Sequence, residues 1–376
     1  MIDEIRDSVR KLAIAEIPKY QNENFYGSVP LELFKSFAGL GLTGLTISEN
    51  FGGLGLGPTA SAAVLEEISS VDLGPAIFLS VHLMVSGILE RSANQEQKEK
   101  YLTRLASGEL LAAFALTESS AGSDASALKT RAEKQAETWV INGDKCWISS
   151  AGWADIYLVF AKTNPEAGKA GISAFIVEAN TPGLTIGKPE KKMGCELSPI
   201  STLQFENMKI SEDQRIGELN HGYKLALSGL AGGRISIAAC ANGLSRTAIE
   251  LAKAHLQERQ QFGKKLIEFQ GLQFMLADLR MQYEASKLLV EKAASILESN
   301  PGDPSNRLRP SIAKCFATDA AMKITTDAVQ LLGGAGYVHE YQVERLMRDA
   351  KMLQIVEGTN QIQRMVIARE MLEETV

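Results

Sequence analysis

The sequence predicts an α+β protein of three parts in chain order. These are an N-terminal α-helical domain over residues 1–112, a middle antiparallel β-barrel or sandwich domain over 113–219, and a C-terminal four-helix bundle over 220–376. Three observations carry this reading. Apolar residues recur at helical spacing in the first third, the period shortens in the middle, and a long helical seam runs through the last third. A chain of 376 residues also exceeds what one small core needs.

In the first part, Ile5, Val9 and Leu12 share one helical face, and Pro18, Pro30, Gly52-Gly53 and Pro58 separate the segments. Leu73 to Leu89 is the longest uncharged apolar run. Gly74, Pro75, Ser80, His82, Ser86 and Gly87 interrupt it, so it predicts a buried core helix and not a membrane span. In the middle part, Thr138 to Gly143 ends in an Asn-Gly pair that predicts a turn into Lys145–Ser149. Ile156–Phe160 and Ile172–Val177 read as further strands, with Thr181-Pro-Gly183 and Lys188-Pro189 as turns. In the last part, Leu272, Leu276, Leu279, Tyr283, Ser286, Val290, Ala293 and Leu297 form the seam of a long packed helix, closed by Asn300-Pro-Gly-Asp-Pro304. Two more helices are expected near Ser311 to Leu332 and Asn360 to Glu374, the second capped by Thr359.

Composition narrows the function. Hydrophobic residues are 45%, charged residues 22%, and 39 basic against 45 acidic side chains give a net charge of -6, the balance of a globular protein. No block of Lys and Arg offers a footprint for a phosphate backbone, which argues against nucleic acid. Cys146, Cys195, Cys240 and Cys315 form no CxxC pair, so reduced thiols fit better than a disulfide framework or a zinc site. His82, His221, His255 and His339 form no HExxH pattern, and no metal is expected. Residues 1–10 carry Asp3, Glu4, Arg6 and Asp7 and lack the apolar core of a signal peptide, so a cytoplasmic location is expected.

Five clusters could carry chemistry. Phe114-Ala-Leu-Thr-Glu-Ser-Ser-Ala-Gly-Ser-Asp124 places hydroxyls and a glycine at the junction of the first two parts, suited to a phosphate or the polar edge of a ring; it also fits an ordinary Ser/Gly loop. Trp147-Ile-Ser149 could cover a planar cofactor, or fill a β-core. In Glu258-Arg-Gln-Gln-Phe-Gly263 a glycine is read as stopping a helix, while Arg259 and the glutamines, with Gln270 beyond, offer forked donors; a helix cap with a solvated Arg is the plainer reading. Gln330-Leu-Leu-Gly-Gly-Ala-Gly-Tyr337 permits close backbone approach but is not a dinucleotide fingerprint. In Ile355-Val-Glu-Gly-Thr359, an apolar setting would raise the pKa of Glu357 and strengthen it as a base, although a lone glutamate can equally be solvated.

Taken together, FALTESSAGSD, INGDKCWIS, ERQQFG with its downstream glutamine, QLLGGAGY and VEGTNQIQR closely resemble, in order and spacing, the acyl-CoA dehydrogenase family of flavoproteins, over essentially the whole chain. The short-, medium- and branched-chain members are the nearest in kind. The resemblance implies noncovalent FAD. Phe114, Leu116, Thr117, Gly122, Ser123, Trp147, Ile148 and Ser149 would line the isoalloxazine and pyrophosphate, with Thr117 and Ser149 near the ring edge. Arg259, Gln261, Phe262 and Gln270, with Gln330, Leu331, Gly333 and Gly334, would reach the cofactor of a neighbouring subunit, and Thr359 and Gln361 would complete the adenine side. A homo-oligomer follows, usually a tetramer built as a dimer of dimers.

The implied reaction is α,β-dehydrogenation of an acyl-CoA thioester to the trans-2-enoyl product, within fatty-acid β-oxidation. Glu357 would abstract the α-proton while the β-hydrogen leaves as hydride to flavin N5, with an electron-transfer flavoprotein as acceptor. The thioester oxygen would be held by the base's own backbone N–H and a ribityl hydroxyl, and Ser123, Arg234 and Gly358 would contact substrate. Family members that carry the base elsewhere place it where this chain has Gly233. Three positions depart from the pattern: Ala231 stands in place of an aspartate, Glu196 in place of an arginine, and Val356 in place of an aromatic residue before the base. They leave the acyl group and the mode of CoA binding open. A carrier-protein thioester, oxygen as acceptor, and a non-catalytic flavin-binding homologue are the alternatives.

Overall fold

The computed structural model describes residues 2–301 and 304–373. Five helices form the first part: α1 (Ile2–Glu16), α2 (Leu31–Gly39), α3 (Pro58–Ser69), α4 (Leu73–Ser92) and α5 (Gln95–Ala106). The Asp72 side chain caps α4 by accepting the Gly74 N–H at 2.8 Å. Helix α4 is long and apolar enough to cross a membrane, but 89% of its apolar window is buried inside the protein, as its interrupted pattern predicts. His82 on α4 fastens the next part. The Ala112 N–H lies 3.3 Å from its Nδ1 and the Thr43 carbonyl 3.1 Å from its Nε2, and burial lowers its pKa to about 4, so the ring is neutral.

The strands are β1 (Ala112–Ala115), β2 (Arg131–Gln135), β3 (Thr138–Ser149), β4 (Ile156–Lys162), β5 (Ile172–Glu178), β6 (Leu184–Ile186), β7 (Ile200–Ser211) and β8 (Arg215–Ile216). They form one eight-stranded sheet in the order β6-β7-β3-β2-β4-β5-β8, with β1 added against β4. Pairing is antiparallel except for β1 with β4 and β2 with β4.

One expected turn is corrected here. Asn142-Gly143 does not reverse the chain but lies within β3, where the register against β7 slips between Ile141 and Gly143. Gly143 has φ 141°, and a Cβ there would stand 2.7 Å from the Cα of Thr130. The pair therefore builds a β-bulge, which needs the same backbone freedom as a tight turn. The reversal falls earlier, between Gln135 and Thr138, with Ala136 at φ 54°.

The last part holds α6 (Gly222–Glu258), α7 (Gln270–Ser299), α8 (Leu308–Leu332), α9 (Val343–Leu353) and α10 (Asn360–Glu373). Of the expected seam on α7, Leu279, Tyr283, Ser286, Val290 and Ala293 are buried. Its expected closure includes Gly302 and Asp303, and the expected end of α10 includes Glu374; these lie outside the described residues. A second correction concerns Gly263. Helix α6 ends at Glu258, and Gly263 turns a small hairpin of β9 (Gln260–Gln261) and β10 (Lys264–Lys265), with Phe262 at φ 53° and Gly263 at φ 78°. Positive φ at both central residues marks a primed two-residue turn.

The three parts share one core. Phe37 and Phe78, Tyr157 and Phe175, and Leu244 and Val290 belong to the same buried cluster. The fully buried Glu67 on α3 ties α1 and α6 together, receiving Arg6 at 2.9 Å, Arg10 at 2.9 Å and Arg246 at 2.7 Å. Burial pushes its pKa up, but hydrogen bonds from Arg246 and Arg10 outweigh this and hold it at about 2.

Candidate active site

The turn between α9 and α10 carries Glu357. Glu357 and Gly358 both adopt left-handed backbone, at φ 56° and 87°, which Gly accepts freely and Glu does not. This aims the carboxylate at α6, where a Cβ built on Gly233 would stand 2.5 Å from Glu357 Oε2. That oxygen is buried and has no hydrogen-bond partner among the described residues. Burial raises the Glu357 pKa to about 7, against the opposing charges of Arg234 and Lys314. A carboxyl with this pKa is poised for proton transfer near neutrality.

Arg234 is also buried, with Nη1 3.4 Å from Ser311 Oγ and Nε without a partner among the described residues. It lies beside Glu357, not on a surface open to a phosphate. Helix α8 adds Lys314, which the sequence reading missed. Its Nζ donates to the Gly358 carbonyl at 3.0 Å and to Asn360 Oδ1 at 2.8 Å. Gln363, also missed, donates from Nε2 to the carbonyls of Glu357 at 3.1 Å and Gly358 at 2.9 Å. The signal available was a lysine between Ser311 and Thr318 on the face of α8 that also carries Ala317 and Ala321. Thr359 caps α10, its Oγ1 accepting from Ile362 N–H at 3.3 Å, and Gln361 is exposed one residue into the helix.

The sheet assembles a second group. Cys146 N–H donates to the Thr117 carbonyl at 3.0 Å, which sets Leu116-Thr117 against Trp147-Ile148-Ser149. Behind them Lys145, fully buried, donates to the Leu116 carbonyl at 3.0 Å and to Glu118 Oε1 at 2.8 Å. Glu118 also accepts the N–H groups of Lys129 and Thr130. Trp147 sits at the second register slip of β3, with φ 57° and 58% of its surface exposed. Phe114 packs on Phe160 with ring centroids 5.0 Å apart. Gly122 and Ser123 are exposed, and a Cβ at Gly122 would meet nothing within 4 Å. An uncovered indole beside free hydroxyls and open glycine backbone fits a flat, polar-edged ring system with phosphates.

The remaining candidates stand on exposed ends of the bundle. Arg259 follows α6, Gln261 and Phe262 lie in the hairpin, Gln270 opens α7, and Gln330, Gly333 and Gly334 close α8; Leu331 is buried. Phe262 is 93% exposed. The departures also find places. Glu196 pairs with Arg348 of α9 at 2.6 Å, Ala231 is half-buried on α6, and Val356 packs against the core.

Helix, sheet and bundle around a buried carboxyl and an open aromatic cradle define a flavoprotein dehydrogenase. The family models for the acyl-CoA dehydrogenase N-terminal, middle and C-terminal domains match residues 2–109, 113–208 and 220–372. The chain is 42% identical over 371 residues, 98% of its length and 95% of the relative, to the probable acyl-CoA dehydrogenase FadE25 of Mycobacterium tuberculosis. It is similar to butyryl-CoA dehydrogenase from Megasphaera elsdenii, with a TM-score of 0.91 and 40% identity over 98% of both chains. It is likewise similar to a chain in the structure of the electron transferring flavoprotein of Acidaminococcus fermentans, with a TM-score of 0.92 and 39% identity over 99% and 98% of the chains. This chain belongs to the acyl-CoA dehydrogenase family. It is an oxidoreductase of that family, whose cofactor is FAD, as the motifs predict.

Proposed function

We propose that the protein oxidises an acyl-CoA thioester to the trans-2-enoyl-CoA with Glu357 as the α-proton base. The observation that carries this reading is the buried, unpartnered Oε2 of Glu357 against Gly233. Ionised, this carboxylate accepts the α-proton as the α,β double bond forms. Bound FAD supplies a two-electron acceptor for the hydride that leaves the β-carbon. The Glu357 backbone N–H donates to no protein group among the described residues, so it is available to the thioester oxygen where enolate charge develops. Gly358 beside it presents no side chain to a passing substrate.

Phe114, Leu116, Thr117, Gly122, Ser123 and Trp147–Ser149 would hold the flavin, with Thr359 and Gln361 on its adenine side. Arg259, Gln261, Phe262, Gln270 and Gln330–Gly334 would serve a neighbouring copy, in a homotetramer. Self-association is supported by α7, where Phe274, Met281 and Leu288 recur every seven residues and are 60%, 63% and 65% exposed. An electron-transfer flavoprotein is the proposed acceptor, in keeping with the similarity to the Acidaminococcus chain. Four buried, unpaired cysteines suit the reducing cytoplasm.

Anaerobic titration of the flavin absorbance with acyl-CoAs varied in length and branching tests the reading. Bleaching by at least one of them is expected. A yellow protein that stays oxidised throughout would contradict it, and peroxide release at the turnover rate without a partner protein would favour oxygen as acceptor.

A further inference from the structure

We propose that Lys314 is a positioning residue for the catalytic base: it latches the left-handed turn that carries Glu357 and sets a positive charge behind the carboxylate. The proposal rests on Glu357 acting as the base.

One backbone bond closes the turn, from the Asn360 N–H to the Gln354 carbonyl at 3.0 Å, and it leaves the carbonyls of Glu357 and Gly358 at the tip to other partners. Those two carbonyls are taken by side chains, Gly358 O by Lys314 and Gln363 together, and Glu357 O by Gln363. Lys314 itself is fully buried. Among the described residues it makes no ion pair; its two bonds go to a carbonyl and to an amide oxygen of Asn360. Asn360 is fixed in turn by Thr318 at 2.9 Å and Asp319 at 2.7 Å, and Arg364 neutralises Asp319 at 2.6 Å. A neutral donor could hold the same oxygens without the desolvation that a buried ammonium carries. The charge is therefore retained for something it faces. Around the base the charged groups are Arg234 from α6 and Lys314 from α8. Around Lys314 they are Glu357, Arg234 and Asp319, with the Cys315 thiol beside them. Of these anions, Asp319 already has Arg364, which leaves Glu357 as the one the ammonium serves. Lys314 lies 43 positions before Glu357, on α8, and Gln363 lies on α10, so the turn is clamped from two helices at once.

The test compares the holoenzyme with Lys314→Met, Lys314→Arg and Gln363→Met by anaerobic stopped-flow reduction at saturating acyl-CoA across pH. Amide hydrogen exchange over residues 357–360 in the same holoenzymes, without substrate, gives a second readout. Lys314→Met is expected to slow reduction about 100-fold, the scale of a small misplacement of a reacting group. It should also move the rising limb of the pH profile to higher pH and speed exchange in the turn, and Lys314→Arg should restore most of both. Gln363→Met loosens the turn but keeps the charge, so it should slow reduction with the limb in place. Lys314→Met with an unmoved limb and unchanged exchange overturns the proposal. If Lys314→Met does not fold, the limb in Lys314→Gln, which keeps a donor and loses the charge, decides the same point. A wild-type flavin that no acyl-CoA reduces would instead count against the base assignment, and the exchange readout would still judge the latch.

Discussion

Glu357 and Gly233 are in contact across the turn and helix α6: the carboxylate occupies the space into which any side chain at 233 would grow, 2.5 Å from the position of a Cβ. Alanine in a helix interior is ordinarily more stable than glycine by about 1 kcal/mol. Gly233→Ala should therefore leave thermal stability unchanged or slightly raised, because the displaced group is the end of a side chain. The rate of flavin reduction should nevertheless fall about 100-fold. Parallel melting curves and stopped-flow traces check this, and an unimpaired rate would mean that the observed carboxylate position is not the reactive one.

The raised pKa gives a pH dependence with a definite sign. Proton abstraction needs the ionised base, so the rate of reduction should rise with pH through about 7 and level off above it. Stability runs the opposite way. A carboxyl raised from 4.5 to about 7 favours the folded state while protonated. That contribution is full below about 4.5 and is lost as pH rises through about 7. Denaturant titrations of the wild type and Glu357→Gln at pH values on either side of this window should diverge accordingly.

The Lys145–Glu118 pair lies behind both segments proposed to hold the flavin and is buried at 0% and 4% side-chain exposure. Burial lowers the Lys145 pKa to about 8 despite Glu118. Burial pushes Glu118 upward, but the charge and hydrogen bond of Lys145 outweigh it and hold the carboxyl below its usual range. Lys145→Met strands that carboxylate, at a cost of about 3 kcal/mol. Because Leu116 also loses its donor, flavin should dissociate more readily. Equilibrium unfolding and ultrafiltration for free flavin measure the two effects, and full flavin retention would separate the pair from the cradle.

The stripe on α7 makes the proposed self-association testable. Met281→Asp places a charge in the middle of Phe274, Met281 and Leu288, on a face that makes no use of the buried seam. Light scattering should report a smaller particle with unaltered helix content. A particle of unchanged mass would assign the contact to another surface.

Much of this architecture is legible in the sequence because its signals are local. The seam from Leu279 to Ala293 records a 3.6-residue period, and the aliphatic neighbours of Glu357 mark its apolar setting, whereas its left-handed backbone has no signal in the sequence. Asn142-Gly143 misleads because a bulge and a hairpin turn ask the same thing of glycine, and only the pairing partner β7 distinguishes them. Helix α9 is not among the expected helices although its buried face is apolar at Val343, Leu346, Ala350 and Leu353; it is short, and its sequence is otherwise charged, with Asp349 accepting Cys195 N–H and Arg348 reaching Glu196. That pair also accounts for the acidic residue at 196, where the family often has an arginine: its complement is on α9. Lys314 and Gln363 are silent because what they hold is carbonyl oxygen on a turn remote from Lys314 in sequence.

The central claim is that Glu357 removes the α-proton, and its most direct test is the rate of anaerobic flavin reduction in Glu357→Gln. The account predicts a protein that retains FAD and still binds acyl-CoA, seen as a perturbed oxidised flavin spectrum, but whose flavin is not bleached on the wild-type timescale. Bleaching of the variant at the wild-type rate would contradict it and assign the proton to another group.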